Sequence, residues 1–450
     1  MAGSKFSLPP VKRAGDDFEA RGRQLLAVEA DIEAGRLSEA ASMLNEIAKA
    51  SPKDARVYIT GWLLGNKAGN PAASLYSARR AVELAPMSAM AHFCLGESER
   101  SGGNPVAASA SINRALMLEP TNVQYRELAV NLAYAQSDFA AAEVHLRRAF
   151  SQNEDFHGIK TMIGNALRHQ SKFDEAETWL IEALASNAED TEALHGLAMV
   201  AYLLNDRATA QKYLARAIAL RPTDAGYAYL DAVFRGEAPA KAPEYVTQRL
   251  IHSDMGLIGT HAANDSKSSV AQKVSAAILE RFPDRKLNVL DLGCGAGQLG
   301  AALGRIEGFF VGVDLSMPML EAAKVRNVYS RFHHVNLQDA LDATAAHEFE
   351  VIVAADVFIY LGALDAAINN AFKVLRSGGW LFFSCERVPE SDGRSDFVVQ
   401  KSMHYAHSEA YVKRLLAAAG FAAPLIDAVD LRGGGDAATT GFMVSVQKPA

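Results

Sequence analysis

The sequence predicts a two-part chain: an all-α helical repeat, followed by an α/β doubly wound sheet with an antiparallel edge hairpin. Three observations carry this. A 34-residue period runs through the first half, short apolar runs alternate with helical stretches from Lys286, and one run ends in the bend Gly293-Cys294-Gly295-Ala296-Gly297. The length agrees, because 450 residues exceed what one hydrophobic core organises.

The period shows first in proline. Pro52, Pro86, Pro120 and Pro222 fall on one 34-residue lattice, whose two empty nodes are Glu154 and Ala188. Five residues before each node stand Ile47, Ala81, Ala115, Ala149, Ala183 and Ala217, and twelve before stand Ala40, Ser74, Ala108, Ala142, Ala176 and Ala210. Eight before stand Leu44, Ala78, Ile112, Leu146, Leu180 and Leu214. Small residues let two helices cross closely, and a large apolar neighbour fills the seam. The node proline then separates one helix pair from the next. Gly96 and Gly164 share one position in the first helix of a pair, where a missing side chain permits close approach.

This half resembles the tetratricopeptide repeat (TPR), in six copies over roughly residues 19–222, although the family's early aromatic in the first helix is mostly absent. Thr223 to Glu237 reads as the closing helix, which such an array needs with a polar outer face. Gly236, Pro239 and Pro243 then read as a linker. The expected boundaries are 19–237 for the superhelix, 238–248 for the linker and 249–450 for the second domain. The resemblance implies a concave face that takes a protein or peptide. A scaffold that only dimerises or stiffens the chain is the alternative.

In the second half, strands are expected at Asn288–Leu292, Phe309–Asp314, Phe332–Val335, Glu350–Ala354 and Trp380–Ser384. Helical patterns fall at Leu299–Arg305, Met317–Asn327, Leu364–Leu375 and Ser408–Ala419. Two late strands, Leu425–Leu431 and Phe442–Gln447, flank Gly433, Gly434 and Gly435, as a hairpin at the sheet edge would.

Val289-Leu290-Asp291-Leu292 runs straight into the glycines, and glycine there lets the backbone turn and a ligand lie against bare main chain. Gly295, Gly297 and Gly300 also satisfy a dinucleotide fingerprint, so an NAD(P) carrier is one candidate. Asp291 argues for another. A pyrophosphate gains nothing from a carboxylate there, whereas a cationic amino acid and sulfonium do. Residues 286–450 resemble the class I, Rossmann-like S-adenosylmethionine (AdoMet)-dependent methyltransferases. Within them they resemble bacterial members that themselves carry TPR repeats.

That resemblance implies a cofactor site. Asp291, Gly293, Gly295 and Gly297 would surround the methionine portion and Asp314 the ribose. Leu315, Ser316 and Met317 would flank the adenine, and Asp339, with Leu337 and Gln338, would read its edge. Asp356 and Val357 would sit beside the methyl donor, with Phe358 and Tyr360 facing the acceptor. A Tyr-x-His-Ser run matches Tyr405 to Ser408, and His407 is the expected general base. Tyr360 and Asp356 complete the catalytic candidates, with Glu386 as a further possible base. Two bland explanations stand beside these: Asp314 or Asp356 as a helix cap, and Ser408 as an N-cap. Cys294 reads as a small residue fitting the turn. No carboxylate or cysteine completes a metal set around His404, His407, His333 and His334. The group enters its catalytic domain through an aromatic-rich segment, whereas residues 250–257 here carry no aromatic; this leaves the acceptor class open.

Composition narrows the functions. Net charge is −7, neither half is basic, and no Lys/Arg stripe with interleaved aromatics appears, so nucleic acid is not an expected partner. Three scattered cysteines, a start without a signal-peptide core and no apolar run long enough for a bilayer give a cytoplasmic expectation without a membrane span. Three functions follow. The first is a methyltransferase acting on an N or O acceptor, whose repeats bind a protein partner. The second is a small-molecule or saccharide methyltransferase with a scaffolding or dimerising array, hence a possible homo-oligomer. The third is a noncatalytic adaptor or NAD(P)-binding enzyme.

Overall fold

The computed structural model describes residues 14–154, 157–251, 269–389, 395–432 and 439–450. The Gly433–Gly435 loop, residues 252–257 and the first residues of the chain lie outside the described residues. The chain forms two compact units, divided between Ile159 and Lys160.

The first unit is helical: α1 (Ala14–Glu33), α2 (Leu37–Ala50), α3 (Ala55–Lys67), α4 (Pro71–Leu84), α5 (Ala89–Ser101), α6 (Pro105–Leu118), α7 (Val123–Ala135) and α8 (Phe139–Ser151). Short polar residues start these helices. Asp54, Asn70, Ser88, Asn104, Asn122 and Asp138 each accept a backbone N–H of the following first turn. Pro71 and Pro105 take the first helical position, where no N–H is needed. The node prolines follow the C-caps Ser51, Ala85 and Glu119. At the empty node, Glu154 receives the buried Arg126 guanidinium at 2.8 Å, and Arg126 also donates to the Pro120 carbonyl and to Gln152. An ion pair here joins two turns that a proline elsewhere separates.

The second unit opens with α9 (Ile159–His169), α10 (Phe173–Ser186), α11 (Thr191–Leu203), α12 (Arg207–Leu220) and α13 (Ala225–Phe234). The three columns read from the sequence are buried in every repeat. A Cβ on Gly96 would lie 2.6 Å from Ile112, and one on Gly164 2.6 Å from Leu180. The large column residue therefore fills the notch that glycine leaves.

A mixed sheet follows: β1 (Val289–Leu292), β2 (Phe310–Asp314), β3 (Arg331–His334), β4 (Phe349–Ala354), β5 (Leu375–Arg387), β6 (Phe397–Val399), β7 (Tyr405–His407), β8 (Leu425–Arg432) and β9 (Thr439–Gln447). The first five are parallel in the order β3-β2-β1-β4-β5, and β9 and β8 continue antiparallel beyond β5. Helices α14 (Ser269–Arg281) and α15 (Gln298–Leu303) pack on one face through Val270, Val274, Ile278, Leu299 and Leu303. Helices α17 (Leu337–Ala343), α18 (Asp365–Val374) and α19 (Glu409–Ala419) cover the other, and α16 (Met317–Lys324) follows β2. Because side chains alternate along a strand, Val289 and Asp291 face the α14 side while Leu290 and Leu292 face the other.

Two sequence expectations change here. The segment Tyr405–His407 is expected to carry no strand. It forms β7, which pairs in parallel with Glu386 and Arg387, and the helix starts only after the Ser408 cap. Since β9 holds the other edge of β5 from Trp380 to Glu386, β7 lies on the β4 edge, beyond the carboxyl end of β4. Three-residue strands are too short to show a period, so β6 and β7 leave no trace in the sequence.

The expected linker is also packed. Tyr405 donates to the Pro239 carbonyl at 2.9 Å, and Ala363 N–H donates to the Ala240 carbonyl at 2.9 Å. A Cβ on Gly362 would strike both of those carbonyls at 2.8 Å. Closing helix α13 consequently packs its apolar face here, while Ala225 and Ala228 stay exposed and Asp231 pairs with Arg235. Tyr229, Leu230, Val233 and Phe234 share one core with Ala242, Met403 and Tyr405.

Candidate active site

The carboxyl ends of β1, β2 and β4 meet at the glycine bend. Gly293, Gly295 and Gly297 have φ of +69°, +53° and +80°, a region where a side chain is strained. The N–H groups of Gly293 and Cys294 both donate to the Val313 carbonyl, which pins the bend to the end of β2. On its other side Gly293 touches Val357, whose Cγ2 would lie 2.6 Å from an added Cβ. A Cβ on Gly295 would approach only the flexible Gln298 side chain. The middle of the bend thus offers bare backbone to a ligand, while its first glycine is walled in. Gly293→Ala is expected to cost about 1–3 kcal/mol through backbone strain and to displace Val357. Urea unfolding and cofactor titration check this, and unchanged binding in that variant removes Gly293 from the site.

Asp314 closes β2 and accepts from Gly295 N–H at 2.9 Å and Ser316 N–H at 2.8 Å. Burial pushes its carboxyl above the usual range, against these backbone donors. Asp291 is buried beneath the bend and accepts from the Tyr329 hydroxyl at 2.7 Å. Burial is the main cause that lifts its carboxyl to about 7, and the charge of Asp314 adds to it. Asp314, joined by Asp291 once it ionises, places negative charge beside the bend, which disfavours a pyrophosphate and favours a cation.

The remaining candidates take these places. Ser316 caps α16, with Met319 N–H at 3.4 Å from its hydroxyl, so the capping role exists alongside any ligand role. The Leu315 carbonyl accepts from His334, and Met317 is exposed. Asp339 is exposed in the first turn of α17 and is bonded to Asn336 through its N–H and its carboxylate. Asp356 sits just past β4 with φ +55°, uncommon for a side-chain-bearing residue. Its N–H donates to the Ser384 hydroxyl at 2.8 Å, and that hydroxyl donates back to its carboxylate at 2.9 Å. This reciprocal pair ties β4 to β5 and holds the strained turn open beside Gly293 and Val357.

His407, the base expected from the sequence, is enclosed. Its Nε2–H donates to the Gly362 carbonyl at 2.9 Å, and burial pulls its pKa down to about 4. A ring so reluctant to take a proton is a poor base at neutral pH. Sequence reasoning names its neighbour His404 but not as the base. His404 Nδ1 lies 3.6 Å from the Glu386 carboxylate, both are buried, and the Tyr360 ring meets His404 edge-on with centroids 5.6 Å apart. Glu386 shares a face of β5 with Ser384, so this trio stands one pleat beyond the Asp356 turn. The metal combination with His333 and His334 is not assembled, because those residues sit on β3 at the far edge of the sheet. Among the described residues no group of three or more His, Cys, Asp or Glu is placed to hold a metal.

Comparison with known proteins agrees with this architecture. A family model described as a methyltransferase domain matches residues 283–420, and two tetratricopeptide repeat models match residues 67–123 and 133–197. The mitochondrial ubiquinone biosynthesis O-methyltransferase of Mus musculus is 30% identical over 138 residues, covering 28% of this chain and 36% of that protein. Its Candida albicans counterpart is 33% identical over 113 residues, covering 23% and 34%. The chain thus spans little more than a third of the length of these relatives. A 1,6-didemethyltoxoflavin-N1-methyltransferase from Burkholderia thailandensis, solved with S-adenosylhomocysteine, is 19% identical, with a TM-score of 0.36, covering 48% of this chain and 93% of that one. The chain therefore carries a methyltransferase domain over residues 283–420 and tetratricopeptide repeats over residues 67–123 and 133–197.

Proposed function

We propose that the chain is an AdoMet-dependent methyltransferase that acts on a hydroxyl acceptor, with its repeats available to a protein or peptide partner. The observation that carries this is the clasp of Asp314 on Gly295, which sets a carboxylate against the bare middle of the bend. Asp291, Gly293, Gly295, Gly297 and Asp314 would hold the methionine and ribose portions. Leu315, Ser316, Met317 and Asp339 would surround the adenine. When bound there, AdoMet supplies a methyl group already activated by its sulfonium. The chain's own work is positioning and proton removal. Val357 and Asp356 set the donor-side wall. His404 removes the acceptor proton, Glu386 holds the imidazole, and Tyr360 lines the acceptor side. An amine needs only a neutral lone pair, so a buried His–Glu pair favours oxygen. The two ubiquinone biosynthesis relatives are O-methyltransferases, which supports this reading, while the toxoflavin-type neighbour methylates nitrogen.

The proposed division is residues 19–237 for the repeats, 238–248 for the connection and 249–450 for the catalytic domain. No helix among the described residues is long and apolar enough to cross a membrane. The three cysteines are free and buried, which fits the proposed cytoplasmic setting. To test the function, the chain is titrated with AdoMet and with NADP, then incubated with lysate and methyl-labelled AdoMet. AdoMet binding with label in O-methylated product is the expected result. Binding of NADP alone, or label confined to amines, overturns the proposal.

A further inference from the structure

We propose that Tyr329 is the positioning residue of the glycine bend: its hydroxyl caps the helix that the bend leaves uncapped and clamps it to Asp291, so that cofactor binding is coupled to ionisation of Asp291. This rests on the cofactor reading above. Helix α15 starts directly after Gly297, which has no side chain to cap it. Helices α11, α16 and α17 use Asp190, Ser316 and Asn336 for that bond. Here Gly300 N–H donates to the Tyr329 hydroxyl at 3.2 Å, and the same hydroxyl donates to Asp291 at 2.7 Å. One oxygen joins the strand before the bend to the helix after it.

The ring is fixed for this task. Its centroid lies 4.2 Å from that of Phe310 and 5.0 Å from that of Phe332. Gly300 admits it, since a Cβ there would lie 2.5 Å from Tyr329. The titratable groups acting on Asp291 are Tyr329 and Asp314, Cys294 in turn feels its charge, and none of the three is cationic. A buried carboxyl in such company keeps its proton until a cation arrives. On binding, the Asp291 carboxyl becomes a carboxylate, its proton goes to the buffer, and no other bond changes.

The test is calorimetric titration of the full chain with AdoMet and with S-adenosylhomocysteine, below and above neutral pH, in two buffers of different ionisation heat. AdoMet is expected to release protons near neutral pH and to bind more tightly as pH rises. S-adenosylhomocysteine, which lacks the sulfonium charge, should release fewer. Tyr329→Phe should weaken AdoMet binding about tenfold and move the midpoint of the pH profile upward, because Asp291 loses the donor that favours its charged form. Asp291→Asn should flatten that profile. Circular dichroism verifies folding of each variant, and if Tyr329→Phe does not fold, wild-type proton release and the Asp291→Asn profile decide. Wild-type affinity and midpoint in Tyr329→Phe, or AdoMet binding without proton release, overturn this inference alone. Failure of the wild type to bind AdoMet at any pH overturns the cofactor reading and this inference with it.

Discussion

Asp314→Ala is expected to lower AdoMet affinity by two to four orders of magnitude while leaving the chain folded. Held by Gly295 and Ser316 N–H, the carboxylate would accept two charge-assisted bonds from the ribose hydroxyls in the proposed site. Each such bond is worth about 1.5–3 kcal/mol, and every 1.4 kcal/mol is about tenfold in binding. Its two backbone bonds lie between the bend and the start of α16, so their loss also loosens the proposed methionine and adenine sides together. Folding should survive for an electrostatic reason. Burial raises the Asp314 carboxyl above its ordinary value, so the folded form holds that proton more tightly than the unfolded chain. The stability it contributes falls as pH rises through the folded pKa, and alanine removes that loss. Titration calorimetry and thermal unfolding above neutral pH are the measurements. Near-wild-type affinity in this variant would falsify the ribose assignment, and loss of the folded state would show that Asp314 serves structure first.

Part of this architecture is legible in the amino-acid sequence, for physical reasons. The repeat is legible because one side-chain choice recurs at one place in every helix pair: the notch at Gly164 and the filling Leu180 follow from spacing alone. The glycine bend and Asp314 are legible because main-chain turning and a strand end are local events. His404 is not. Its significance comes from Glu386, eighteen positions earlier in the chain, through a three-residue strand whose register the sequence does not display. Tyr329 is equally hidden, since an N-cap is sought next to its helix and this one arrives from twenty-nine residues away. Helix α14 is a different case. Val270, Val274 and Ile278 carry a four-residue spacing that marks a helix face, and the expected elements omit it.

Proline and glycine around the connection mark irregular backbone without saying what covers it. Tyr405→Ala tests what does. This side chain is 1% exposed, its hydroxyl holds the Pro239 carbonyl, and its ring lies within the core that α13 shares with β7. Truncating a buried aromatic costs about 3–5 kcal/mol, and an abandoned carbonyl adds about 1–3. In a unit of this size each kcal/mol moves Tm by about 2–4 °C, so a drop on the order of 10 °C or more is expected for the second unit. Tyr405→Phe keeps the ring and should lose only a few degrees. Trypsin supplies the second readout, because Lys241 is exposed in this connection while Ala240 and Ala242 beside it are held. Cleavage there should be slow in the wild type and in Tyr405→Phe, and rapid in Tyr405→Ala. The same contact bears on catalysis. Gly362, pressed between Pro239, Ala240 and Tyr405, presents the carbonyl that holds His407, and His404 precedes Tyr405 directly. Loosening Tyr405 therefore releases the strand that carries the proposed base. Methyl transfer should fall further than AdoMet binding, whose proposed contacts lie at β1 and β2. Equal losses in the two would place the effect in general unfolding, and unchanged Tm with wild-type proteolysis would restore the connection to a tether.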